Sequence, residues 1–118
     1  MRALEFVEVP EFTRDLHRVG DDQTLQALQL ELLRDPAKGD LMRGTGGLRK
    51  VRLKLPGRGK SGGARVIYLH LPRAEKVIFL FVYTKARQSD LTPDQRSRLR
   101  RLAAQIEQAY ATHKENRG

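Results

Sequence analysis

Residues 48–55 read as a strand, with polar and apolar residues alternating strictly from Lys50 to Leu55. Val51, Leu53 and Leu55 fall on one side of an extended chain and Lys50, Arg52 and Lys54 on the other, the two-residue period of a strand with one buried face. Gly44-Thr45-Gly46-Gly47 precedes it as a turn cluster, and a glycine-rich connection over residues 56–63 follows it. Residues 65–71 predict the next strand, and Pro72-Arg73-Ala74-Glu75 a turn. Residues 77–83 are a nearly unbroken apolar run, which predicts a central strand buried on both faces.

Helical spacing brackets these strands. A short first strand over residues 4–9 leads to Pro10-Glu11, which opens a helix through Leu16, closed by Gly20 as a left-handed cap. Asp21 or Asp22 caps a second helix on which Leu25, Leu28 and Leu32 share a face, and Asp35-Pro36 ends it. The pair reads as a helical hairpin that needs a sheet to cover. Near the other end, Thr92-Pro93-Asp94-Gln95 supplies an N-cap, a proline at the first helical position and a capping-box glutamine. Leu99, Leu102, Ala103, Ile106 and Tyr110 then mark one face of a helix ending near Thr112. Residues 1–112 are expected to form one domain and residues 113–118 a frayed tail.

Composition narrows the class. With 118 residues there is chain for one core, and with no cysteine there is no disulfide framework, thiolate metal site or cysteine nucleophile. No run reaches the length of a membrane span, and the first residues carry charge where a secretory signal needs an apolar stretch. The expectation is a cytoplasmic protein with no membrane association. His17, His70 and His113 are far apart and show no ligand spacing, so neither a metal nor another cofactor is expected.

Charge changes the picture most. Residues 41–74 contain no acidic residue and nine cations, Arg43, Arg49, Lys50, Arg52, Lys54, Arg58, Lys60, Arg65 and Arg73. The whole chain has 23 Lys+Arg against 14 Asp+Glu, so the remainder balances and the entire excess lies in this stretch. A localised positive field attracts a polyanion such as a phosphate backbone. Charged residues on the wet face of a sheet usually serve solvation, but a solvation face carries both signs and this one does not. Lys50, Arg52 and Lys54 share a strand face, Arg65 opens the next strand, and Lys85 follows the central strand with Tyr83 two residues before it. Such a patch suits RNA cleavage without a metal, in which a ribose 2′-hydroxyl attacks its own neighbouring phosphate. Clustered cations stabilise the crowded phosphorane, and arginine grips phosphate with paired donors.

Four motifs in order carry a family resemblance: Gly-Thr-Gly-Gly-Leu-Arg-Lys-Val-Arg-Leu (residues 44–53), Gly-Lys-Ser-Gly-Gly-Ala-Arg-Val-Ile-Tyr (59–68), Phe-Val-Tyr-Thr-Lys (81–85) and Asp-Leu-Thr-Pro (90–93) before a helix. The chain resembles the RelE/HigB superfamily of type II toxins over roughly residues 6–106, and looks closest to its HigB-type members. The resemblance implies an α+β fold: an N-terminal helical hairpin packed on a small antiparallel sheet, plus a C-terminal helix, with the other side of the sheet forming a basic cleft. It implies a ribosome-dependent mRNA endonuclease, held inactive by a cognate antitoxin, often a HigA-like helix-turn-helix protein. Operator DNA would then be met only through that antitoxin.

Carried over by position, the catalytic residues are Lys50, Arg52, Arg65 and Lys85, or for the last Arg87. Arg43, Arg49, Lys54, Arg58, Lys60, Arg73, Tyr83 and Arg87 are expected to bind mRNA or the ribosome. The catalytic tyrosine of the RelE pattern falls on Thr92 and its C-terminal arginine on Ala86. Tyr83 and Tyr110 are the nearest substitutes, and the general acid stays unassigned. Two rivals remain at this point: a ParE-like toxin that binds gyrase, and a non-catalytic RNA- or ribosome-binding module. The first generally lacks the sheet-face cations, and the second wants exposed aromatics for base stacking. Aromatics are only 6% here, and Phe79 and Phe81 are expected to be buried.

Overall fold

The computed structural model describes residues 3–56 and 63–117, and side chains through Ala111. In chain order the elements are strand β1 (Glu5–Glu8), helices α1 (Pro10–Val19) and α2 (Asp22–Arg34), strands β2 (Asp40–Leu41), β3 (Leu48–Leu53), β4 (Ala64–Leu71) and β5 (Lys76–Thr84), and helix α3 (Pro93–Arg117). The strands form one sheet in the order β1-β5-β4-β3-β2. Strands β2 to β5 pair antiparallel, whereas β1 adds to the outer edge of β5 in parallel. The α+β architecture is as expected, with a sheet that is mixed rather than wholly antiparallel. A parallel pair cannot be joined by a tight turn, and here nearly the whole fold intervenes between β1 and β5.

The hairpin forms for local reasons. Pro10 sits in the first turn of α1 with Glu11 beside it, and His17 and Arg18 occupy the last turn, so the charges match the helix dipole. The Asp21 carboxylate caps α2 by accepting from the Thr24 N–H at 2.9 Å. Gly20 between them is extended (φ −156°, ψ −162°), not left-handed as its position predicts. Its N–H bonds the Leu16 carbonyl at 2.9 Å to end α1, and the straightened backbone then delivers Asp21 to the capping position.

Both faces of the sheet are buried. Phe12, Leu16, Leu25, Leu28 and Leu32 of the hairpin pack on Val51, Leu53, Val66, Val77, Phe79 and Val82. The Phe79 ring stacks on Phe6 and Phe12 at centroid distances of 5.8 and 5.2 Å. On the opposite face, Leu99 and Ala103 of α3 join Met42, Leu48, Leu69, Ile78 and Leu80. The helix runs on past Thr112 to Arg117. Thus β5 is buried on both faces, as its apolar run predicts.

Two features fix how β3 enters the sheet. Thr45 is fully buried; its hydroxyl donates to the Met42 carbonyl at 2.6 Å and accepts from the Leu48 N–H at 3.2 Å. Gly44, Gly46 and Gly47 take up φ of 75°, 76° and 111° around it, where a side chain would be strained. On the hairpin side, the buried Tyr68 hydroxyl donates to the Pro36 carbonyl at 2.8 Å and accepts from the Gly39 N–H at 2.9 Å. A Cβ on Gly39 would come within 2.8 Å of the Tyr68 ring, so only glycine permits this approach.

Tyr68→Phe should orphan a buried donor and a buried acceptor and lower the unfolding free energy by about 1–3 kcal/mol, read from urea midpoints. Burial also raises the Tyr68 phenol above its usual value of 10.0. The native state therefore keeps its proton where the unfolded chain loses it. Tyr68 stabilises fully below about pH 10, and that contribution is lost as pH climbs through the folded value. The urea midpoint should fall above pH 10, less steeply in Tyr68→Phe.

Candidate functional site

Pairing register arranges one face of β3, β4 and β5 in three cross-strand rows. The first is Leu48–Leu69–Ile78, the second Lys50–Ile67–Phe81, and the third Arg52–Arg65–Tyr83. Directly opposed side chains on neighbouring strands sit about 5 Å apart at Cβ. Exposure rises along the series: Leu48 is fully buried under α3, Lys50 and Arg65 are half-buried, and Arg52 is exposed. The polar rows form the wall of a groove of about 310 Å³, lined by Lys50, Arg52, Lys54 and Arg65 and by Glu31, Lys38 and Asp40 across the sheet edge. The groove opens there because β2 pairs only with Arg49 and Lys50, leaving the rest of β3 as an edge.

Tyr83 reaches this face through an irregularity. Ile67 pairs with Phe81 but Tyr68 with Phe79, so one residue of β5, Leu80, has no partner in the ladder. Strict alternation from Val77 and Phe79 would send Phe81 and Tyr83 into the hairpin core. The bulge turns both to the α3 side, beside Arg65, while Val82 joins the hairpin core. The Tyr83 phenol is raised above its usual value, first by burial and then by the Asp90 charge, with Arg65 opposing. It is a neutral donor at neutral pH.

The segment between β5 and α3 meets the site at Lys50. Asp90 places Oδ1 3.4 Å from the Lys50 ammonium and accepts from the Leu91 N–H at 2.8 Å. That N–H first, and then Lys50, holds the Asp90 carboxyl below its usual value. Lys85 donates to the Ser89 carbonyl at 3.1 Å, and Arg87 is exposed in the same turn. Thr92 accepts from the Gln95 N–H at 3.1 Å while the Gln95 side chain accepts from the Thr92 N–H at 2.9 Å, the reciprocal cap that the motif predicts. The Arg96 guanidinium donates to the Arg43 carbonyl and so ties α3 to the turn before β3.

The structure therefore brings together Lys50, Arg52, Lys54, Arg65 and Tyr83, with Lys85 and Arg87 in the adjoining turn. It separates two others. Arg49 lies on the hairpin face, where its guanidinium donates to the carbonyls of Ala37 and Gly39 at 3.2 and 2.8 Å. Its place is structural. Arg73 lies at the opposite end of the strands, in the 3₁₀ turn between β4 and β5, beside a larger cavity of about 580 Å³ that His70, Glu107 and Tyr110 also line. Arg58 and Lys60 lie outside the described residues. Asp90 and Arg96 carry no local signal for their contacts: they stand outside the acid-free stretch and meet Lys50 and the Arg43 carbonyl only by tertiary packing.

A family model described as the RelE toxin of the RelE/RelB toxin–antitoxin system matches residues 10–116. The chain belongs to the RelE toxin family. Its fold is that of the isolated E. coli RelE toxin, with a TM-score of 0.56 at 16% identity over 85% of this chain and 99% of that one. RelE in the intact E. coli RelBE toxin–antitoxin complex gives 0.54 at 19% identity, covering 68% of this chain and 94% of that one. The archaeal RelE–RelB complex from Pyrococcus horikoshii OT3 gives 0.51 at 18%, covering 72% and 98%. Among the described residues no helix is long and apolar enough to cross a membrane.

Arg49 and Arg52 are near neighbours in sequence with opposite placements, which separates their effects. Arg49→Ala should lower the unfolding free energy by about 1–2 kcal/mol, chiefly by removing the part-buried hydrogen bond to the Gly39 carbonyl. Arg52→Ala, at an exposed position, should stay within about 0.5 kcal/mol of the parent. Urea unfolding of the two variants side by side checks this.

Proposed function

We propose that this RelE-family toxin is a ribosome-dependent mRNA endonuclease whose active site is the Lys50–Arg52–Arg65–Tyr83 groove. The observation that carries this reading is the cross-strand row Arg52–Arg65–Tyr83 with Lys50 beside it. Two guanidiniums and an ammonium line one open groove at the sheet edge, and a neutral phenol, 5% exposed, stands behind Arg65 in the same row. That is the equipment for a phosphate that gains charge during reaction.

In the reaction proposed, the substrate supplies its own nucleophile. The ribose 2′-hydroxyl gives up its proton to solvent as its oxygen attacks the adjacent phosphorus, the P–O5′ bond breaks, the departing oxygen takes up a proton, and a 2′,3′-cyclic phosphate and a 5′-hydroxyl result. Arg65 has one Nη spent on the Ala64 carbonyl at 3.2 Å, which fixes the guanidinium and leaves donors for the phosphorane oxygens. Arg52 supplies a second grip from the exposed end of the row. Tyr83 keeps its proton at neutral pH and offers it to a phosphate oxygen or the leaving group. Lys54, Lys85 and Arg87 surround the groove with charge that steers RNA towards it, and Arg43 adds to the same field.

The cognate antitoxin is the other partner, supported by the family description and by the RelB complexes of structural neighbours. A HigA-like antitoxin and HigB-type kinship rest on the sequence motifs alone. Sheet-face cations favour the nuclease over a gyrase-binding toxin. Phe79 and Phe81, 0% and 7% exposed, leave no stacking platform on the sheet for a non-catalytic RNA-binding module.

Primer extension on a defined message in a purified translation system tests the proposal. Wild-type protein should produce cuts at ribosome-occupied codons, and Arg65→Ala should slow them by about 100- to 1,000-fold. Intact message together with normal translation would overturn it.

A further inference from the structure

The phosphate chemistry described above asks for cations and a proton donor, yet the Lys50 ammonium, which lines the groove, is paired with an anion from outside its lining, Asp90. Asp90 is not a buried remnant of folding: its side chain is 59% exposed, and it faces the Lys50 ammonium at 3.4 Å, while the Lys50 side chain is only 30% exposed. The contact joins residues 40 positions apart in sequence, one on β3 and the other on the segment leading into α3. One Asp90 oxygen also accepts from the Leu91 N–H at 2.8 Å, which fixes the carboxylate on its own backbone. The anchor is thus rigid and the tethered group is the flexible one.

An unrestrained lysine spreads over many rotamers, and ordering it on arrival of substrate costs entropy. A carboxylate beside the ammonium removes that cost in advance, but it also repels an incoming phosphate and competes for the same ammonium. The two consequences act on different kinetic quantities.

We propose that Asp90 is a positioning residue that holds Lys50 in place at the groove, raising the rate of RNA cleavage while weakening the binding of RNA. This rests on the reading of the groove as an RNA-cleaving site. Asp90 itself makes no bond to the reacting atoms. Lys50 is the group that meets the phosphate, and Asp90 acts through it.

Single-turnover cleavage of a defined message on programmed ribosomes, titrated with toxin, separates the two quantities. Asp90→Asn keeps the shape and the Leu91 contact but loses the charge. Its half-saturating concentration should fall roughly threefold to tenfold, as expected for removing one nearby like-charge repulsion. Its maximal rate should fall about 10- to 100-fold, as expected for a misplaced catalytic group. Asp90→Glu should recover much of the rate. In a Lys50→Ala background the Asp90→Asn change should leave the rate where Lys50→Ala alone put it, since the two act as one unit.

A residue that merely staples the loop would behave otherwise: Asp90→Asn would weaken binding and slow cleavage together, and the effect would persist without Lys50. Either result overturns the inference. So does an Asp90→Asn rate equal to the parent's while the wild type cuts normally. If the wild type itself binds ribosomes and cuts nothing, the cleavage reading falls and takes this inference with it, a failure identified by the wild-type arm alone.

Discussion

The groove depends on strand register. Along β5 a two-residue period would carry Phe81 and Tyr83 to the hairpin side with Val77 and Phe79, and would leave Val82 facing Arg65. The bulge at Leu80 reverses that parity within one residue. Above it the sheet serves two apolar cores; below it the same strand supplies Val82 to one core and Tyr83 to the other, next to Arg65. Bulges are favoured where a side chain has to be re-aimed at the end of a paired stretch. Here the cation row of β3 and β4 would otherwise meet an apolar residue of β5.

That register also explains how so small a domain carries a charged site without losing its core. On the α3 face, each step of two residues along β3 exchanges burial for charge, from Leu48 through Lys50 to Arg52. The first row is dry and holds the helix. The last row is wet at Arg52 and packed only at its Tyr83 end. Lys50 lies between, its stem beside Ile67 and its ammonium turned to Asp90, the arrangement by which a long cationic side chain covers apolar surface and keeps its head in water. Charges crowd at the open end because the helices have already satisfied the rest of the sheet.

Much of this was legible where short-range physics decides. The alternation of residues 50–55 placed Lys50, Arg52 and Lys54 on one face, and Thr92 and Gln95 signalled a cap that the structure shows bond for bond. Leu25, Leu28 and Leu32 mark the buried face of α2 as their spacing predicts. What long-range pairing decides was not legible. β2 is two residues long and exposed, too short to carry a period. The parallel placement of β1 depends on β5 at the far end of the chain. Arg73 belongs to the acid-free stretch by sequence but not by space, since the turn carries it to the other end of the strands. Arg49 shows the reverse lesson: its parity with Val51 and Leu53 already put it on the hairpin face, and grouping by charge alone overrode that. Asp90 carried no signal beyond membership of a motif, because its significance comes from Lys50, with which it shares no local pattern.

The central claim is chemical: the groove promotes attack by the substrate's own 2′-oxygen. End-group analysis of the cut message addresses it most directly. Message cleaved by the purified toxin on ribosomes is recovered and the two new termini at each cut are identified. The account predicts a 2′,3′-cyclic phosphate, or the 3′-phosphate formed when it opens, on the upstream fragment and a 5′-hydroxyl on the downstream one. A 3′-hydroxyl paired with a 5′-phosphate would contradict it, because that outcome requires water or another external nucleophile in place of the ribose.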